Sequence, residues 1–271
     1  MLMAGSMLAG IGCRTQQPPA EVSANIIIPD PPPRTPVSQW HDATGRSAVS
    51  AKLDSAALRG FRYQGRDVNA PTILFFNGNG MTADQADGLY RSIAALGPSV
   101  VVYDYRGYGF SSGQPDLMTF RQDGLSLYDQ TANAAPNHRV VVYGFSMGTA
   151  IASYIATQRP VTALILAAPI ASAEEEFPVF AKLMGYPPGQ RPDANAGQVF
   201  GEAKMAAQTK APLLVLHGNA DELVPIEQGR EVFAASAAPI KKFVMLPGVG
   251  HNSTADNPVS MRAVSEFLSK L

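Results

Sequence analysis

Apolar residues along the chain gather into short unbroken runs, and between the runs they recur with a helical period. The runs Pro71–Phe76, Val100–Tyr103, Arg139–Tyr143, Val161–Ala167, Leu213–Leu216 and Lys241–Leu246 are four to seven residues long. Runs this short, dominated by Val, Ile, Leu and Phe, read as strands buried on both faces. Leu58–Tyr63 reads as an earlier strand. The intervening stretches Asp84–Leu96 (closed by Gly97-Pro98), Leu117–Asn133, Gly148–Thr157, about 226–236 and about 258–270 have helical spacing. Strands that alternate with helices predict an α/β fold. Its central sheet is mostly parallel and covered by helices on both faces.

Two regions break the alternation. Between the strands at 161–167 and 213–216 lie more than forty residues rich in Pro, Gly, Ala and Glu. A connection so long is usually functional, and residues about 169–210 are read as a cap or lid. At the other end, residues 1–12 are small, apolar and uncharged, Cys13 follows at once, and a Pro-rich tract runs to about Pro36. The pattern reads as a signal segment (1–12), an extended tether (13–46) and a catalytic-size domain (47–271). Acyl chains on Cys13 would then hold the domain at a membrane, which implies a bacterial cell-envelope location, the alternative being cytoplasmic.

Bulk chemistry narrows the classes. The chain has 271 residues, 46% of them hydrophobic, and a net charge of −1. A balanced charge without a basic stripe argues against nucleic-acid binding. With a single cysteine, neither an intrachain disulfide nor a multi-thiolate zinc site is available, and the four histidines (41, 138, 217, 251) stand apart from one another. No metal or organic cofactor is expected.

The chemistry concentrates in Gly144-Phe145-Ser146-Met147-Gly148, a G-x-S-x-G pattern set directly after an apolar strand and before a helix. Glycines on both flanks let strand and helix approach closely while the serine sits on a strained turn. A hydroxyl is a weak nucleophile at neutral pH and needs a base beside it. His41 precedes the sheet and His138 precedes its strand, at the wrong edge; His217 and His251 both follow strands. With the order Ser, acid, His, His251 is matched by Asp221 in His217-Gly218-Asn219-Ala220-Asp221-Glu222, with Glu222 as local competitor and Glu174, Glu175 and Glu176 set behind it as part of the lid.

These motifs resemble those of the α/β-hydrolase superfamily, near the serine aminopeptidase-like lipoprotein branch. The resemblance covers roughly residues 55–271 and rests on Phe76-Asn77-Gly78-Asn79-Gly80, Asp104-Tyr105-Arg106-Gly107-Tyr108-Gly109-Phe110-Ser111, Gly144–Gly148, His217–Pro225 and Gly250-His251. It implies an oxyanion hole made by the amides of Met147 and Asn79, with Gly80 as the alternative to Asn79. Asp104–Gly109 reads as a structural loop tied together through Arg106. Tyr105, Tyr108 and Phe110 are candidates for an acyl or leaving-group pocket, or for packing. The expected activity is hydrolysis of a small-molecule ester, thioester or amide through an acyl-enzyme on Ser146. A peptidase, or a non-catalytic envelope scaffold of the same fold, are the alternatives.

Overall fold

The computed structural model describes residues 21–187 and 189–271. Eight strands form one sheet: β1 (Arg46–Leu53), β2 (Ala56–Tyr63), β3 (Thr72–Phe76), β4 (Val100–Tyr103), β5 (Val140–Phe145), β6 (Ala163–Ala167), β7 (Leu213–Gly218) and β8 (Lys241–Leu246). Their spatial order is β8-β7-β6-β5-β3-β4-β2-β1. Every pairing from β8 to β4 is parallel, whereas β2 runs antiparallel to both β4 and β1. The sheet is therefore mostly parallel, as the alternation predicts.

The unbroken apolar runs are explained by the two faces. Leu74, Val142, Leu164, Leu166 and Val215 point into one core, against helices α2 (Leu117–Ala134), α3 (Met147–Gln158) and α7 (Ile226–Ala235). Their chain neighbours Ile73, Phe75, Val141, Ile165 and Leu214 point into a second core, against α1 (Asp87–Ala94) and α8 (Pro258–Leu268). Alternate residues of a strand face opposite ways, so a strand covered on both sides must be apolar throughout.

The long connection from β6 to β7 carries α4 (Ala173–Leu183), α5 (Ala194–Val199) and α6 (Glu202–Ala206). Two of these helices, α4 and α5, begin on short polar caps: Ser172 accepts from the Glu175 amide and Asp193 from the Ala196 amide.

The reading of 13–46 as an extended tether does not describe its structured part. Residues 21–45 lie against the domain, because their polar groups find fixed partners there. The Asn25 side chain donates to Asp116 (2.9 Å) and accepts from the Leu117 amide (3.0 Å). Arg34 donates to the Ser111 carbonyl (2.6 Å), and the Trp40 indole to the Gly60 carbonyl (3.0 Å). Residues 1–12 and Cys13 fall outside the described residues.

Candidate active site

β5 ends at Phe145 and α3 begins at Met147, so Ser146 alone makes the turn between them, with φ 52° and ψ −124°. A residue with a Cβ holds this conformation at a cost of roughly 1–3 kcal/mol. The flanking glycines make the turn possible by close approach. A Cβ on Gly144 would sit 2.4 Å from the Gly148 carbonyl oxygen, and one on Gly148 would sit 2.2 Å from that of Phe76. The turn pushes the hydroxyl out at the carboxyl edge of the sheet, where the loops after β7 and β8 also arrive.

Those loops bring Asp221 and His251 to the serine. His251 Nε2 is 2.9 Å from Ser146 Oγ, and His251 Nδ1 is 2.8 Å from Asp221 Oδ2. The other carboxylate oxygen, Oδ1, accepts from the amides of Leu223 (3.0 Å) and Val224 (2.8 Å), which fixes its direction. Glu222, the local competitor, is exposed.

His217 is buried in β7 and braces the same turn, since its Nε2 lies 2.9 Å from the Val224 carbonyl oxygen. Burial pushes its pKa down, so the ring is neutral and donates to that oxygen.

Beside Ser146 lie the amides of Met147 and Asn79, neither with an acceptor among the described residues; the amides of Gly78 and Gly80 in the same loop have none either. Met147 opens α3, so its N–H is one of the helix's free donors and sits at the positive end of the dipole. The Asn79 side chain is held from two sides: it donates to the Ile27 carbonyl and accepts from the Tyr108 hydroxyl (3.1 Å).

An apolar cavity of about 670 Å³, counting its open mouth, starts at Ser146, Met147 and Asn79. Its walls come from the β6–β7 connection (Ala173, Phe177, Phe180, Phe200) and from the N-terminal stretch (Val22, Ile26, Ile27). One ionisable side chain lies on it, Glu176, hydrogen-bonded to Gln228 at 2.5 Å. Burial raises the Glu176 pKa to about 8. Glu202 lies beneath α3, fully buried, and accepts from Thr149 Oγ1 at 2.9 Å. Burial raises its pKa to about 8 as well.

Tyr105, Tyr108 and Phe110 do not line this cavity. Tyr105 stacks on Phe120 and donates to the Asn77 carbonyl (2.7 Å), while Phe110 packs edge-on against Phe61. They are core residues because the Asp104–Ser111 loop folds inward, its Asp104 carboxyl accepting from the amides of Ala83 (2.7 Å) and Phe110 (2.9 Å). Arg106 ties the loop down through a forked pair to Asp123 at 2.6 and 2.7 Å. Sequence reasoning placed Glu176 on the lid but not on the cavity, and missed Glu202 and the wall at 22–27. The only sequence cue was the S-x-x-E cap at Ser172, which marks a helix but not the face it presents.

A sheet of this order, with a serine on its strand-to-helix turn and loops converging at the carboxyl edge, defines the α/β-hydrolase class. The family described as serine aminopeptidase, S33, matches residues 68–190. The chain is 30% identical over 226 residues to the lysophosphatidylserine lipase ABHD12 of Rattus norvegicus, a match covering 74% of this chain and 56% of that protein. It is 29% identical over 238 residues to an uncharacterised protein of Mycobacterium tuberculosis, covering 83% of this chain and 80% of that one. Among solved structures, the Pyrococcus furiosus esterase PF2001 superposes with a TM-score of 0.69 at 18% identity, over 88% of this chain and 97% of that one. The Paleococcus ferrophilus monoacylglycerol lipase gives a TM-score of 0.61 at 20% identity, over 77% and 98%. The chain has the α/β-hydrolase fold, and it is similar to these hydrolases along most of its length.

Proposed function

We propose that the chain is a serine hydrolase that cleaves esters of apolar carboxylic acids through an acyl-enzyme. The unbroken Asp221–His251–Ser146 chain at 2.8 and 2.9 Å, opening onto an apolar cavity, carries this reading. Ser146 Oγ attacks the ester carbonyl carbon and its proton passes to His251 Nε2. Asp221 holds the ring's other N–H and stabilises the imidazolium that forms. The developing oxyanion is met by the amides of Met147 and Asn79, each such donor being worth about 2.7–4 kcal/mol. Collapse breaks the bond to the leaving alcohol, which takes the proton from Nε2. Water, deprotonated by the same nitrogen, then releases the acid and restores the serine.

The apolar walls favour an acyl group over a peptide amino terminus. An aminopeptidase needs a charged carboxylate facing the substrate ammonium. Here Glu176 is the one ionisable wall residue, and a pKa near 8 keeps most of it neutral at pH 7. A fluorophosphonate probe tests the reading, together with turnover of p-nitrophenyl butyrate. Wild type should be labelled and active and Ser146→Ala should be neither. Labelling that persists in Ser146→Ala would sink the assignment.

We also infer a lipid anchor at Cys13 and an envelope location, supported by the apolar segment before it and the Pro-rich tract after it. No helix of the described residues is long and apolar enough to cross a membrane. Partition of wild type, but not Cys13→Ser, into the detergent phase of Triton X-114 is the expected result. Equal partition of the two would overturn it.

A further inference from the structure

Residues 21–28 precede the sheet by almost twenty positions, yet they supply five of the eighteen residues around the cavity that holds Ser146: Val22, Ser23, Ala24, Ile26 and Ile27. The stretch is pinned at three separate places. At its start, Glu21 and Val22 pair with Arg191 and Pro192 of the β6–β7 connection, and the Val22 carbonyl accepts from the Asp193 amide at 2.9 Å. In its middle, Asn25 is fastened in both directions to the start of α2, to Asp116 and to the Leu117 amide. At its end, the Ile27 carbonyl receives the Asn79 side chain. The same stretch therefore closes the cavity and grips the loop that bears the Asn79 amide.

We propose that residues 21–28 are a working wall of the acyl cavity, and that the Ile27 carbonyl, by holding the Asn79 side chain, sets the position of the oxyanion loop. The proposal rests on the ester reading above and deepens it in two ways. The reach of the acyl chain is set by Ile26 and Ile27, residues outside the hydrolase sheet. The rate on every ester, whatever its chain length, is set in part by how firmly the arm is fastened. Asn25 is a positioning residue: it does not line the cavity, and it acts only by holding the arm to α2. Its two bonds lie in a half-buried setting, so the arm can loosen while the sheet stays folded.

The test uses the full chain and p-nitrophenyl acetate, octanoate and decanoate. Ile26→Trp fills the cavity. It should lower the octanoate-to-acetate ratio of kcat/KM by about tenfold, the scale of a few misplaced methylenes in an apolar pocket. Asn25→Ala, and as a second variant Asn25→Asp, should lower kcat for the acetate by roughly five- to tenfold at a nearly constant KM, because a displaced donor costs transition-state binding and not ground-state binding. A merely structural arm would shift the melting temperature and leave both the ratio and kcat at wild-type values in folded variants, and that result overturns the proposal. Decanoate binding to Ser146→Ala, with and without Ile26→Trp, separates the two readings. Weaker binding in the double variant supports the wall even if wild type turns over no ester, an outcome that would defeat the esterase reading alone. Equal binding in both defeats the wall.

Discussion

Two buried carboxyl groups lie close to Ser146, and they are treated in opposite ways. Asp221 stands on the loop after β7 and is met by three donors: the amides of Leu223 and Val224, and the His251 ring. Glu202 stands at the start of α6 under the nucleophile's helix. One of its oxygens accepts from Thr149 and, at 3.4 Å, from the Ile170 amide; the other has no partner among the described residues. Burial without enough donors penalises the charge, and the Glu202 pKa is driven to about 8. The difference lies in the donors: the turn at 221–224 gives Asp221 two backbone amides within 3.0 Å, whereas Glu202 meets a single amide at 3.4 Å.

The largest break in this comparison is expected from removing each acid in turn. Asp221→Asn keeps the shape but presents the wrong partner to His251 Nδ1, and kcat on p-nitrophenyl butyrate should fall by about 10⁴. Glu202→Gln should leave kcat within about threefold, since it touches only Thr149 and a backbone amide. A similar loss in both would show that the two carboxyls share one role.

Stability against pH should separate them next. With a folded pKa near 8 against an ordinary 4.5, Glu202 keeps a proton that the unfolded chain sheds. Its favourable contribution is therefore whole below about pH 4.5 and disappears as pH rises through 8. Glu176 behaves alike, its value also being raised to about 8. Melting temperatures between pH 5 and 9 should fall for wild type, and the fall should be shallower in Glu202→Gln. Parallel curves would contradict the assignment.

A smaller effect is expected on substrate binding. Above pH 8, Glu176 places a charge on an apolar wall, so KM for the octanoate should rise a few-fold between pH 7 and 9, with kcat nearly unchanged. In Glu176→Gln the rise should vanish. A rise that persists would move its origin elsewhere.

Much of this was legible in the chain, for identifiable reasons. The strand β4 matches its expected bounds, and β5 and α3 differ by a residue or two, because doubly covered strands leave unbroken apolar runs; β8, at the sheet edge, matches through its Phe243–Leu246 run although only Leu246 is buried. The Ser146, Asp221 and His251 neighbourhood was readable because each residue lies within a few positions of the end of a strand. β1 was not seen: Arg46–Leu53, at the other edge, has one buried position and, unlike β8, no run of large apolar residues. The cavity was not seen either. Tyr105 and Phe110 look like pocket residues by type and place, yet the inward fold of their loop depends on Asp104 meeting amides at 83 and 110, a contact across 21 residues. The arm at 21–28 reads as linker because Pro18-Pro19 and Pro29 bracket it, and only its distant hydrogen bonds make it a wall.

The left-handed turn at Ser146 sets a cost on every copy of the fold that performs chemistry. Glycine accepts φ 52° without a Cβ to crowd, so Ser146→Gly should give a dead protein that survives heating better than the living one, by roughly 1 kcal/mol. On the proposed reading, a lineage selected for hardiness alone would drift toward glycine and lose its nucleophile, and the serine marks a position where durability has yielded to reactivity.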